Sequence, residues 1–114
     1  MQLNTSLQHY EFKLQQFIKN IPNQHYLIEM TKMCGYSEFM MVPKTNSLID
    51  LYRQTSTQFM TDTMQQIYFS DKKQDKVPLS ANITVQQFIQ TKQLRCIYSL
   101  DCHVVYRFFV DDHH

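Results

Sequence analysis

Across its 114 residues the chain carries one glycine, Gly35, one alanine and no tryptophan. Phosphate-cradling loops, dinucleotide fingerprints and nucleophile elbows all need several glycines at fixed spacing, because the backbone must turn with positive φ or come close to a ligand. None can be written here, which excludes the enzyme families built on them. Cysteine is also sparse. Cys34, Cys96 and Cys102 are odd in number and lack the spacing of a disulfide framework or a zinc knuckle. They read as small buried thiols in a reducing compartment, and no apolar targeting stretch follows Met1, so the expected address is intracellular. Charge of either sign is not in excess: 11 Lys and Arg face 10 Asp and Glu. Without the cation surplus that drives phosphate-backbone binding, no nucleic-acid partner is expected. The richest apolar run, Val104–Val110, is interrupted by Arg107 and is too short for a membrane span.

Hydrophobic residues make up 43% of the chain, including seven Tyr and eight Phe, enough for the modest core of a single domain over residues 1–114. Leu7, Tyr10, Leu14, Phe17, Ile18 and Ile21 recur at helical spacing. They predict a helix from about Ser6 to about Asn20, started by a Thr5/Gln8 capping box and stopped by Pro22. A second, shorter helix is expected from Tyr26, Leu27, Met30 and Met33 or Cys34, with Gly35 as its left-handed cap. Phe39–Val42, before Pro43, reads as a strand or a packed loop. Leu48, Leu51, Tyr52, Thr55 and Phe59, behind Asn46 and Ser47 as caps, predict a third helix over Ser47–Met60.

After residue 64 the period changes to two. Ile67 and Phe69, the charged tip Asp71–Lys76, then Val77 and Leu79 read as a β-hairpin. Thr84 and Gln87 match a capping box and Ile83 and Phe88 a hydrophobic staple, opening a helix from Val85 to about Gln93. Cys96–Leu100 is a short strand and Asp101–His103 a turn. Val104–Val110 is a strand apolar on both faces, as a central strand is. The order of Gln66–Phe69, Val77–Leu79, Ile83–Ile89 and Val104–Val110 resembles the ubiquitin-like β-grasp family, in which a hairpin leads into a helix that crosses the sheet and the last strand pairs beside the first. The resemblance covers residues 64–110. It implies an α+β fold in which N-terminal helices, residues 1–62, precede a small ubiquitin-like (β-grasp) mixed sheet with one crossing helix, residues 63–112. The chain has Asp111-Asp112-His113-His114 where modifiers of that family carry a glycine pair, so the resemblance implies a docking module and not a conjugated tag.

Chemistry-bearing groups are scattered. Cys102 and His103 are adjacent, and on extended backbone adjacent side chains point apart, which argues against a thiol–imidazole pair. The carboxylates of Asp111 and Asp112 read as a solvated strand end. Tyr68, Phe69, Tyr98, Tyr106, Phe108 and Phe109 resemble a base-stacking platform, but with Arg107 alone among them they read as core. No catalytic residue, metal or cofactor is expected. Methionines crowd the first half, where flexible thioethers suit either an irregular core or an adaptable contact surface. The expectation is a non-catalytic accessory or structural subunit docked on other protein subunits of a large assembly through Phe39, Met40, Met41 and Tyr52. Its hosts would lie in the cytoplasm or cytoskeleton, the cilium included, or in a mitochondrion. A small thiol- or carboxylate-dependent enzyme and an RNA-binding sheet are the alternatives.

Overall fold

Tyr26, Leu27, Ile28, Glu29 and Met30 are buried in unbroken succession, and they lie on a strand. The computed structural model describes residues 12–61, 65–100 and 103–111. Residues 12–18 are helical (α1). Strand β1, His25–Lys32, and strand β2, Ser37–Pro43, form an antiparallel hairpin in the register Ile28↔Met40. Helix α2 is Leu48–Gln58, strand β3 Gln66–Tyr68, helix α3 Val85–Lys92, strand β4 Tyr98–Leu100 and strand β5 His103–Asp111. Strand β5 runs parallel to β1 in the register Ile28↔Tyr106, and its other edge pairs antiparallel with β4 near its start and β3 near its end. The sheet is mixed and five-stranded, in the order β2-β1-β5-β3 with β4 also on β5.

Alternate residues of β1 serve two separate cores. Tyr26, Ile28 and Met30 face α2 and α3, together with Met40, Val42, Phe108 and Val110, and meet Leu48, Leu51, Tyr52, Val85, Phe88 and Ile89. Leu27 points the other way with Phe39 and Val105, and Leu14, Ile18 and Ile21 cover them. With both faces covered, β1 loses the apolar/polar alternation by which a strand is read. The helix expected over Tyr26–Cys34 is therefore β1, and the helical part expected over 1–62 is interrupted by a hairpin. Gly35 has the predicted positive φ, 101°, but it closes the hairpin turn: its N–H donates to the Lys32 carbonyl at 2.8 Å. Open space surrounds the position of a Cβ there, so glycine is needed for its φ alone.

The starts of α2 and α3 are those the sequence implied. Ser47 accepts from the Asp50 N–H at 3.2 Å. Thr84 and Gln87 form the reciprocal capping box, both bonds at 3.0 Å. The remaining first-turn donors are shared between neighbouring chain entries, as a helix N-terminus requires: Leu48 N–H donates to the Ile83 carbonyl and Val85 N–H to the Asn46 carbonyl. Ile83 itself is exposed, and Phe88 packs on Phe69 with ring centroids 5.7 Å apart. The helix ends carry no glycine. Met60 (φ 54°) and Gln93 (φ 53°) take the left-handed position, and the bonds Thr61 N–H to Ser56 carbonyl and Leu94 N–H to Ile89 carbonyl close α2 and α3 in Schellman fashion.

The hairpin expected after residue 64 narrows to one bridge, Tyr68↔Lys76, because Pro78 has no N–H to continue a ladder and Leu79 turns to solvent. The crossing-helix role expected of the Val85 helix alone is shared, since α2 and α3 pack on the same sheet face. The helix expected over Ser6–Asn20 is seen over 12–18, and its Thr5/Gln8 start lies outside the described residues. Two polar features cross the cores. The Tyr52 hydroxyl donates to the Val77 carbonyl at 2.5 Å and accepts from Gln66 Nε2 at 2.8 Å and Ile67 N–H at 3.3 Å, which ties α2 to β3 and to the chain beyond it. On the α1-covered face the buried Glu29 carboxylate accepts from Arg107 Nε at 2.5 Å across the parallel β1/β5 register. Among the described residues no helix is long and apolar enough to cross a membrane.

Candidate functional site

At the turn of the β1/β2 hairpin and the end of α2, the fold leaves large apolar side chains in solvent. Met33, Tyr36 and Met60 are 39%, 54% and 93% exposed. Met60 occupies the left-handed position that ends α2, where a residue with a Cβ costs about 1–2 kcal/mol relative to glycine's freedom. The turn and the helix end are joined through rings. Tyr36 meets Phe59 nearly edge-on, with centroids 6.5 Å apart, and the Lys32 ammonium lies over both, 5.0 Å from Phe59 and 5.8 Å from Tyr36. The Tyr36 hydroxyl donates to Glu38 Oε1 at 3.0 Å. That bond pushes the phenol above its ordinary value, desolvation and the Glu38 charge add to the shift, and Lys32 opposes it. Cys34, in the same turn, is exposed. The surface is thus a thioether and aromatic patch with a cation and a carboxylate at its edge.

The residues expected to bind a partner stand elsewhere. Phe39 and Met40 are 7% and 2% exposed and Met41 is half-buried. The reason is that β2 is a strand whose alternate faces feed the two cores, Phe39 towards α1 and Met40 towards α2 and α3. Tyr52 is also 2% exposed, held in the core by its three hydroxyl bonds. The methionines divide accordingly, with Met30 and Met40 in the core and Met33 and Met60 at the surface. Sequence reading missed this patch because Tyr36 meets Phe59 only once residues 25–43 are a hairpin. The available signal was the run Met33-Cys34-Gly35-Tyr36, large side chains around the lone glycine.

The other chemistry-bearing groups do not converge. Cys96 is exposed like Cys34, against the buried thiols expected, and Cys102 and Asp112 lie outside the described residues. Asp111 pairs with Lys73 at 3.1 Å. Of the supposed stacking platform, Tyr68 and Phe108 are buried and Phe69, Tyr106 and Phe109 half-buried. Among the described residues no three His, Cys, Asp or Glu side chains are grouped to hold a metal. No family model matches the chain, and no curated protein or solved structure is detectably similar to it.

Proposed function

We propose that the chain is a non-catalytic protein-binding module, an accessory or structural subunit of a larger intracellular assembly, which docks through Met33, Tyr36, Phe59 and Met60. The observation that carries this reading is Met60, an apolar side chain almost wholly in solvent on a backbone conformation that favours glycine. Strain retained beside an exposed apolar group is a reason to look for function there. A ubiquitin-like scaffold is part of the proposal, shifted one hairpin earlier than residues 64–110. The supporting order is hairpin β1/β2, helix α2 on its face, and β5 beside β1. Two free thiols at the surface, Cys34 and Cys96, support a reducing compartment.

Two variants separate docking from folding. Met60→Gly relieves the left-handed strain and should raise stability by about 0.5–1 kcal/mol, after the entropy glycine adds to the unfolded chain, while weakening partner binding. The double variant Met33→Glu/Met60→Glu should fold normally and lose its companions in affinity purification. A photo-crosslinking residue at position 60 should label a discrete partner that one at the exposed position 90 on α3 does not. Equal labelling from both positions, or unchanged companions on the double variant, overturns the proposal.

A further inference from the structure

At the far end of β1 from this patch the fold assembles a second site. Parallel pairing sets Leu27 beside Val105, so His25 and His103, each two residues earlier, begin the two central strands on one face. With Lys44, just past β2, and the incoming Pro22, Asn23 and Gln24, they line a cleft of about 170 Å³. The loop is held in place: Gln24 adopts a left-handed φ of 62° and its carbonyl accepts from the Lys44 N–H at 2.9 Å. His25 Nδ1 lies 2.8 Å from the Asn23 carbonyl. A carbonyl only accepts, so Nδ1 carries a proton and donates, which fixes the ring; Nε2 is then an acceptor in the neutral ring and a donor only in the imidazolium. The Lys44 ammonium rests 5.1 Å from the centre of the Tyr26 ring.

Among the described residues the lining contains no carboxylate, and neither Lys44 nor either histidine forms an ion pair. Near neutral overall, the chain lines one small opening with a lysine, two histidines, an asparagine and a glutamine. Pockets for drug-sized molecules run from roughly 300 Å³ upward, so this cleft is sized for a single small group. With both rings charged, donors outnumber the two oxygens of a carboxylate and suit an anion with three acceptor oxygens and up to two charges. We propose that the cleft binds a phosphate group, free or as a phosphomonoester.

The test is a titration of the intact protein with inorganic phosphate and, separately, with O-phosphoserine, at constant ionic strength made up with sodium chloride. Histidine ring resonances report it by NMR. Both probes should give saturable shifts at His25 and His103. Tighter binding of phosphoserine assigns the site to phosphomonoesters, and equal or tighter binding of phosphate assigns it to the free anion. Lys44→Gln and His103→Gln, each shown to be folded by circular dichroism, should each weaken binding by about tenfold or more, the loss of one charge-assisted hydrogen bond. No saturable response to either probe, or the same affinity in both variants, overturns the assignment. The docking variants leave this cleft untouched, so the two proposals fail independently.

Discussion

Replacing Tyr52 with Phe removes one oxygen and tests whether this residue is a strut of the core or part of a partner surface. The hydroxyl serves three groups: the Val77 carbonyl at 2.5 Å, the Ile67 N–H at 3.3 Å and Gln66 Nε2 at 2.8 Å. Val77 and Ile67 are buried, so their backbone groups would be stranded without water, at about 1–3 kcal/mol each. The bond to Ile67 is long and belongs at the low end of that range, and the half-buried Gln66 amide can turn to solvent at little cost. The sum is a loss of about 2–4 kcal/mol, near the upper limit for a single substitution. For a domain of this length about 3–5 °C accompanies each kcal/mol, so the melting temperature should fall by roughly 8–15 °C. Urea and thermal unfolding followed by far-ultraviolet circular dichroism measure both, and an unchanged urea slope shows that the variant unfolds between the same end states. Below its melting temperature the variant should still bind its partner. A stability loss under about 0.5 kcal/mol, the range of ordinary surface changes, refutes the reasoning.

Two further outcomes follow from buried polar groups. Arg107→Met leaves the Glu29 carboxylate buried without its Nε partner and should cost about 3 kcal/mol in urea unfolding, whereas Glu29→Met/Arg107→Met should recover most of it. A double variant no more stable than the single would show that the stranded charge is not the source of the loss. Burial raises the phenols of Tyr26, Tyr52 and Tyr106, with nearby Tyr106, Tyr68 and Cys96 respectively adding to it, and the Ile67 and Gln66 bonds partly opposing it at Tyr52. Their folded-state values then exceed the ordinary value of about 10, so the stability they contribute is complete below about pH 10 and is lost as pH rises through the folded values. Absorbance at 295 nm should show these phenols ionising only as the circular dichroism signal collapses. Ionisation of all seven tyrosines with the fold intact would contradict this.

What could be read from the residues depended on whether a local rule stood alone. Thr84 with Gln87 and the spacing Leu48, Leu51, Tyr52, Thr55 each specify a helix without reference to the rest of the chain, and both helices form there. Val104–Val110, apolar on both faces, is central as expected. Residues 26–30 were ambiguous because Tyr26, Leu27 and Met30 satisfy helical spacing, while the strand reading needs α1 on the far face to explain Leu27 and Glu29. Helix ends were obscured by the shortage of glycine: Met60 and Gln93 take the left-handed position without the residue that usually announces it. Both proposed sites depend on long-range pairing. Tyr36 reaches Phe59 through the hairpin, and His25 reaches His103 through the parallel register, so no window of neighbouring residues displays either.

The place of β5 in the sheet also sets the order in which the molecule can be made. It is the last of the described strands, yet it lies between β1 on one edge and β3 and β4 on the other. While the chain emerges from a ribosome, the β1/β2 hairpin and α2 can form early from local contacts, but the inner edge of β1 has nothing to pair with until residues 103–111 appear. Closing that parallel ladder must overcome the entropy of a long intervening loop, which makes it a slow step. Until then the nascent chain offers unpaired backbone and the apolar side chains of Leu27, Ile28 and Met30, a template for misassociation that favours chaperone capture or rapid release. A chain ending before His103 would lack the strand that joins the two halves of the sheet, and would be held in that exposed condition permanently.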